Sequence, residues 1–245
     1  CGDNSCKSSS PATFSGCIPN SIYSSAANGC YNRLFGYFWV IPLEMKSWTR
    51  PPKLFRKIFP SSIWKCWLSQ DVLFSFDDGP GPHTNALLDL SLEDGVKFAF
   101  FILPEQANKY PEIISRILDE GHILGTHFLK HRNHILDTKA IFLNSLNESI
   151  QKIESISQNT IQYCRIPYGR LLPWQEKWIN DCNCQHVFWS LDSKDYLHES
   201  ADSIIHRIRS KMQANDIVLF HDGENSHPEI VKIVEECLKL VNFKK

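Results

Sequence analysis

From residue 71 onward the chain alternates short, nearly continuous apolar runs with longer amphipathic segments, and few folds accept that alternation. The runs fall at 72–76 (VLFSF), 98–102 (FAFFI), 122–125 (HILG), 161–165 (IQYCR), 186–190 (HVFWS) and 217–220 (IVLF). A strand apolar on both faces must be covered on both faces, which is the situation of a parallel sheet wrapped by helices. Helical periodicity fills the spaces between the runs, at 84–93, 104–120, 138–158, 174–182, 200–212 and 228–241. Six or seven strand–helix units predict an α/β fold, a distorted or incomplete (β/α) barrel of six to eight strands. In such a barrel chemistry sits at the C-terminal ends of the strands.

Residues 1–70 read differently from 71–245 and form a Cys- and aromatic-rich N-terminal extension to that domain. Residues 1–33 are rich in Ser, Asn, Gly and Cys, without periodicity. Residues 34–70 carry Phe35, Tyr37, Phe38, Trp39, Trp48, Phe55, Phe59, Trp64 and Trp67, interrupted by Pro42, Pro51, Pro52 and Pro60. These aromatics suit packing on a domain surface better than stacking on sugar rings. The 9 cysteines stand at irregular spacings with no Cys-x-x-Cys pair, which reads as disulfides in an oxidising compartment rather than as a zinc ribbon. The expected location is therefore secreted, periplasmic or in the cell envelope. Cys1 bears on the odd count in two ways: as a lipid-anchored mature N-terminus, or as the residue left by a signal cut or chain boundary. The formal net charge of −1 lacks the basic excess of a nucleic-acid binder. The basic stretch at Arg50, Lys53, Arg56 and Lys57 reads as solvated surface. No apolar run approaches the ~20 residues of a spanning helix.

Polar residues crowd the predicted strand ends. The first strand runs into Asp77-Asp78-Gly79-Pro80. Two adjacent carboxylates are tolerable there if one binds a cation and the other is salt-bridged, although a helix cap before a Gly-Pro turn would explain the pair equally well. The third strand is followed by His127 and His131, four residues apart, which on a helical turn share a face and can grip one ion. Two imidazoles and a carboxylate make a three-ligand site with a position open to water and substrate. The spacing of His122 and His134 does not match, and both read as structural or surface residues. The fourth strand ends in Arg165-Ile166-Pro167-Tyr168-Gly169, where an Arg can hold a carboxylate in one orientation and a backbone amide can face an oxyanion. The later strands end near Asp192-Ser193-Lys194-Asp195-Tyr196 and at Leu219-Phe220-His221-Asp222. A His beside carboxylates is a general acid in waiting.

These five segments resemble, in order, the five motifs of the polysaccharide deacetylases, carbohydrate esterase family four, which includes chitin deacetylases and peptidoglycan N-acetylglucosamine deacetylases. The resemblance spans about residues 71–222 and implies metal-dependent hydrolysis of N-acetyl groups on a polysaccharide; the lipid-anchored reading of Cys1, which suits a bacterial envelope, puts peptidoglycan N-acetylglucosamine before chitin. It implies Asp77 as general base, with Asp78, His127 and His131 as ligands of Zn2+ or another divalent transition metal. Arg165 would orient the base, the Tyr168 backbone N–H would help form the oxyanion hole, Asp192 would tune the catalytic His221, and Leu219 would line the acetyl-methyl pocket. The chain departs from the family pattern at Phe128, where Ser or Thr is usual, at Ser75 for Thr, and at Tyr196 for Trp. Two other readings fit the same residues: a carbohydrate-binding pseudoenzyme, and an amidase acting on a non-sugar amide.

Overall fold

The computed structural model describes residues 48–241 of the chain. Seven strands form one sheet: β1 (Leu73–Asp77), β2 (Ala99–Ile102), β3 (Ile123–Thr126), β4 (Tyr163–Cys164), β5 (Gln185–His186), β6 (Leu191–Asp192) and β7 (Ile217–His221). Every pair is parallel, in the order β5-β4-β3-β2-β1-β7-β6. The α-helices are α1 (Lys53–Ile58), α2 (Thr84–Asp94), α3 (Pro104–Lys109), α4 (Pro111–Asp119), α5 (Lys139–Ser157), α6 (Pro173–Asn180), α7 (Ala201–Lys211) and α8 (Ile230–Leu238).

The connection between β5 and β6 forces the sheet to curl. These are the two outermost strands, yet only residues 187–190 separate them. In a flat sheet of this size the outer strands would stand roughly 29 Å apart, at ~4.8 Å per spacing. The chain from His186 to Leu191 can reach about 18 Å at most. The sheet therefore bends into a half-barrel, and residues 187–190 cross its gap. Their backbone bonds change partner on the way: Val187 N–H to Cys164 O at 2.9 Å, Phe188 N–H to Ile63 O at 2.9 Å, Ser190 N–H to Ile217 O at 2.9 Å. Ile63 forms a single parallel bridge with Val187 and stands where a further strand would close the ring. The sequence predicted one strand over 186–190. That run is buried on every side whichever neighbour it pairs with, so hydrophobicity alone does not reveal the change of partner.

The helix expected over 104–120 is divided for a local reason. Pro111 has no N–H to donate and disfavours helical geometry at the residue before it; Tyr110 sits at φ −129°, ψ 56°. Thr138 caps α5 by accepting from the Ile141 N–H at 3.4 Å.

The side-chain alternation along the strands sorts apolar bulk from chemistry. Phe74, Phe76, Phe100, Val218 and Phe220 face the helices and join Ile114, Ile117, Ile204 and Ile233 in the core. Phe76 packs at 5.2 Å from Phe100 and 5.7 Å from Phe220, ring centre to ring centre. The intervening positions, Ser75, Asp77, Phe101, Leu219 and His221, lie outside that cluster, and those from Asp77 and His221 end at the strand tips.

The described part of the N-terminal region packs against the barrel gap. Trp64 stacks on Phe188 at 4.1 Å and 16°, with Phe55 and Phe59 tilted around the same ring, and Arg50 makes a two-pronged ion pair with Asp216 at 2.7 and 2.8 Å. The aromatics at Trp48, Phe55, Phe59 and Trp64 thus serve packing. Phe35, Tyr37, Phe38, Trp39, the irregular stretch 1–33 and the lipid reading of Cys1 lie outside the described residues. The disulfide expectation needs correction for the cysteines described: Cys66, Cys164, Cys182, Cys184 and Cys237 are free thiols. Cys164, Cys184 and Cys237 are buried and behave as small apolar side chains. Among the described residues no helix is long and apolar enough to cross a membrane.

Phe188 tests the closure of the gap. Phe188→Ala removes a fully buried ring that Phe55, Phe59 and Trp64 all contact. It should cost about 3–5 kcal/mol of stability, read as a lower urea midpoint. A midpoint equal to wild type would mean that the N-terminal segment does not help close the barrel.

Candidate active site

One pocket of about 110 Å³ opens at the C-terminal end of the sheet, lined by Asp77, Asp78, His127, His131, Tyr168, Trp189, Asp192, Tyr196, Leu219 and His221. Of the residues to which the resemblance gives a role, only Arg165 is missing from this lining, because it lies behind Asp77. Its Nη1 donates to Asp77 Oδ1 at 2.8 Å and to Ser75 Oγ at 3.0 Å, and its Nε donates to the Val187 carbonyl at 3.0 Å. The guanidinium also lies 4.0 Å from the centre of the Phe101 ring. Arg165 is wholly buried. Burial pushes the Asp77 carboxyl up from the usual range and makes it more basic, against the downward pull of Arg165, which holds one of its oxygens still.

Several site residues are aimed by backbone in the left-handed region. Asp78 has φ 71°, Phe128 φ 64°, Tyr168 φ 63° and Lys194 φ 59°. Non-glycine residues persist there only where the surroundings impose it. At Asp78 close packing is the cause. A Cβ at Gly79 would fall 2.2 Å from Asp222 Oδ1, and one at Gly223 would fall 2.8 Å from the Asp78 backbone oxygen, so glycine lets the two loops meet. The Asp222 N–H donates to the Asp77 carbonyl at 3.1 Å, and Thr84 Oγ1 donates to Asp222 Oδ2 at 2.6 Å. Burial, then the charges of Asp78 and Asp77, push the Asp222 carboxyl up to about 7 despite the Thr84 bond.

Asp78, His127 and His131 form a group whose ligand atoms all lie within 4.8 Å of one another. Nε2 of each imidazole is 3.6 Å from Asp78 Oδ1. Those separations are too long for hydrogen bonds, but two ligands at ~2.0–2.1 Å from one tetrahedral ion stand roughly 3.4 Å apart. Asp78 Oδ1 is also buried with no hydrogen-bond partner, a costly state that a cation would relieve. Burial is the main influence on His127 and lowers its pKa to about 3, so the ring is neutral with a lone pair to give. The residues therefore fit a divalent ion with mixed nitrogen and oxygen ligands.

Phe128 explains how this loop does without the usual hydroxyl. Its ring is fully buried, 4.7 Å from His134 and 5.2 Å from Phe142, so aromatic packing holds the turn between the two histidines. His134 is in turn bonded to Asp137 at 2.8 Å, and His122 accepts from the Phe98 N–H at 3.0 Å; both are structural, as expected.

The partner of His221 differs from the sequence expectation. Asp195, not Asp192, holds the ring: its Oδ1 lies 2.8 Å from His221 Nδ1, and its Oδ2 accepts from the His221 backbone N–H at 2.7 Å. Asp192 instead accepts from the Lys194 N–H at 2.8 Å and from the Tyr196 hydroxyl at 3.3 Å, bracing the turn that delivers Asp195. The resemblance was read onto the strand's own last residue, but the chain must turn through residues 193–195 before a carboxylate reaches β7. Burial opposes charge on His221, but Asp195, by charge and hydrogen bond, with Asp78 and Asp77, outweighs it and pushes the pKa up to about 10. The imidazolium is thus present at neutral pH. Its contribution to stability is whole below the unfolded value of 6.5 and is lost as pH rises through about 10.

Trp189 and Tyr196 also line the pocket. Trp189 is 3% exposed and its Nε1 has no hydrogen-bond partner among the described residues. Its position inside an apolar run gave no sign of this, since a buried Trp is ordinary there.

Comparison with known proteins gives a consistent picture. The polysaccharide deacetylase family profile matches residues 68–185. A peptidoglycan-N-acetylglucosamine deacetylase of Bacillus cereus is 32% identical over 158 residues, 64% of this chain and 58% of the relative's length. A chitooligosaccharide deacetylase of Rhizobium leguminosarum bv. trifolii is 30% identical over 161 residues, 63% of this chain and 72% of the relative. Among solved structures, a peptidoglycan N-acetylglucosamine deacetylase in complex with 4-naphthalen-1-yl-N-oxidanyl-benzamide superposes with a TM-score of 0.70 at 27% identity, covering 78% of this chain and 90% of the other.

Two measurements check the site. Purified protein should retain about one equivalent of Zn2+ after dialysis, and His127→Ala should lower the affinity at least tenfold, beyond the ~10-fold or more that even an outer-shell loss costs; equal retention by the variant would remove His127 from the ligand set. In metal-free protein the His221 ring, followed by NMR, should stay protonated past pH 8, and Asp195→Asn should move its titration to lower pH by at least one unit. No movement would show that Asp195 does not govern that proton.

Proposed function

The chain belongs to the polysaccharide deacetylase family, hydrolases that act on N-acetyl amide bonds, and from that membership we propose that it removes the acetyl group from N-acetylglucosamine units of peptidoglycan in a reaction that requires a divalent transition metal. The observation that carries the proposal is the meeting, in one small pocket, of three unlike devices. These are an unpartnered carboxylate oxygen facing two imidazoles, a buried carboxylate held by Arg165, and an imidazolium held by Asp195.

A cation held by Asp78, His127 and His131 supplies Lewis-acid polarisation of the acetamide and a more acidic water. Two nitrogens and one oxygen suit Zn2+, and other first-row ions bind such a set. The remaining steps belong to the protein's own groups. Asp77, kept basic by burial, takes a proton as water attacks the acetamide carbon, while Arg165 keeps its carboxylate from turning away. The backbone N–H of Tyr168 offers a bond to the developing oxyanion. His221 gives its proton to the departing amine nitrogen, so that the C–N bond breaks to acetate and a free amine. Leu219, 3% exposed on β7, provides an apolar wall for the acetyl methyl. The size of the pocket, roughly that of three or four waters, matches an acetamide group better than a whole sugar ring.

Relatives named as peptidoglycan deacetylases support that polymer, and the Rhizobium relative makes chitin oligomers the second choice. Either polymer would put the protein outside the cytoplasm.

Acetate release from peptidoglycan and from chitin oligomers, with Zn2+ and with chelator, tests this. Metal-dependent release from peptidoglycan is the expected result, and Asp77→Asn should lower kcat at least a hundredfold with metal content preserved. Full activity in that variant would remove Asp77 as base. No release from either polymer by metal-loaded protein would leave a sugar-binding or non-sugar amidase role.

A further inference from the structure

Behind the pocket runs a chain of buried polar groups that no step above uses. It links Glu176 of α6, Ser62 of the N-terminal segment and His186 of β5. Ser62 Oγ donates to Glu176 Oε1 at 2.7 Å and lies 3.3 Å from His186 Nδ1, and the Ile166 N–H donates to His186 Nε2 at 3.2 Å. We propose that His186 is a positioning residue for the Tyr168 amide that faces the oxyanion, held in one tautomer by Ser62 and Glu176. The proposal rests on the deacetylase reading above and adds the residues that set the geometry of its transition state.

The direction of the bonds fixes the tautomer. A backbone N–H can only donate, so His186 Nε2 offers its lone pair to Ile166. In a neutral ring the proton then sits on Nδ1. Ser62 gives its own proton to Glu176, so its oxygen accepts from Nδ1–H. Burial, with the charge of Arg165, holds the ring's pKa well below its ordinary value, in keeping with a neutral imidazole. Each member of the chain decides where the next one's hydrogen lies.

Little freedom remains between that lone pair and Tyr168. Ile166 is buried and held at both ends, its N–H by His186 and its carbonyl by the Gly169 N–H at 3.1 Å. Pro167 follows, with φ locked by its ring. Tyr168 comes next at φ 63°, a conformation that persists only where the surroundings impose it. Taking away the acceptor would leave the Ile166 N–H buried and unmet, and the segment would shift to satisfy it.

His186 is itself fixed. Its ring packs 4.3 Å from that of Phe188, and its carbonyl accepts from the Ile63 N–H at 2.9 Å. The next residue, Val187, holds Arg165 Nε through its carbonyl at 3.0 Å. Two consecutive residues at the barrel gap thus position the oxyanion amide and the base.

The test reads the tautomer by long-range proton–nitrogen NMR and its consequence by acetate release from peptidoglycan, both on metal-loaded protein. Wild type should carry the His186 proton on Nδ1, with Nε2 bare; a proton on Nε2 would overturn the proposal. His186→Leu should lower kcat about tenfold, short of the roughly 100-fold or more that losing an oxyanion donor outright costs, with KM and metal content unchanged. Exchange of the Ile166 amide proton should quicken in the same variant. His186→Gln keeps an acceptor near the place of Nε2 and should restore most of both. A loss without that rescue would mean a merely structural histidine, and an unchanged kcat would mean no role; either result defeats the proposal. Should His186→Leu fail to fold, Ser62→Ala decides: it should lower kcat and move the His186 Nδ1 resonance, and no change in either would sink the idea. If wild type releases no acetate, the deacetylase reading fails. The Nδ1 tautomer and the quickened Ile166 exchange would then still show that His186 holds the segment, and their absence would remove it.

Discussion

The ion pair between Arg165 and Asp77 is the constraint on which the rest of the site depends. A buried guanidinium is tolerable only if its donors are met, and removing one partner of such a pair costs about 3–5 kcal/mol. Arg165 meets them with Asp77 and Ser75 from β1 and with the Val187 carbonyl from the segment that crosses the barrel gap. One side chain therefore orients the Asp77 carboxylate and ties together three stretches of chain. The half-barrel brings these stretches close, because the short link between β5 and β6 permits no flat sheet.

Around that pair the charges are arranged in opposition. Asp77, Asp78, Asp192, Asp195 and Asp222 crowd one end of the sheet, and burial raises the first, and also Asp192 and Asp222, above the usual carboxylate range. The same crowding raises His221, so a group that burial alone would discharge carries a proton at neutral pH. The proposed base Asp77 and the proposed acid His221 thus sit in environments that set them apart, as amide hydrolysis requires. A divalent ion among Asp78, His127 and His131 would balance the negative excess.

Much of this was legible in the sequence, for physical reasons that also mark where legibility stops. The apolar runs at 72–76, 98–102 and 217–220 locate β1, β2 and β7 within a residue, because strands covered on both faces have little freedom in composition. The side chains of Asp78, His127 and His131 converge into one group that could hold an ion. Pairing was not legible: the run at 186–190 is buried throughout but changes neighbour midway. Nor was the choice between Asp192 and Asp195, since both are buried carboxylates three residues apart and only the turn between them decides which one faces His221. At Phe128 the sequence departs from the Ser or Thr usual in the family. The structure shows a different solution, packing in place of a hydrogen bond, which depends on Phe142 in a distant helix.

The proposed reaction requires one cation among Asp78, His127 and His131 beside the Asp77 carboxylate held by Arg165. Crystals of the protein grown with Zn2+ and measured on both sides of the zinc absorption edge test it directly. An anomalous peak is expected within ~2.0–2.2 Å of Asp78 Oδ1 and of Nε2 of both histidines, with the Arg165–Asp77 pair intact. A peak elsewhere, or none in crystals whose solution shows bound zinc, would contradict it.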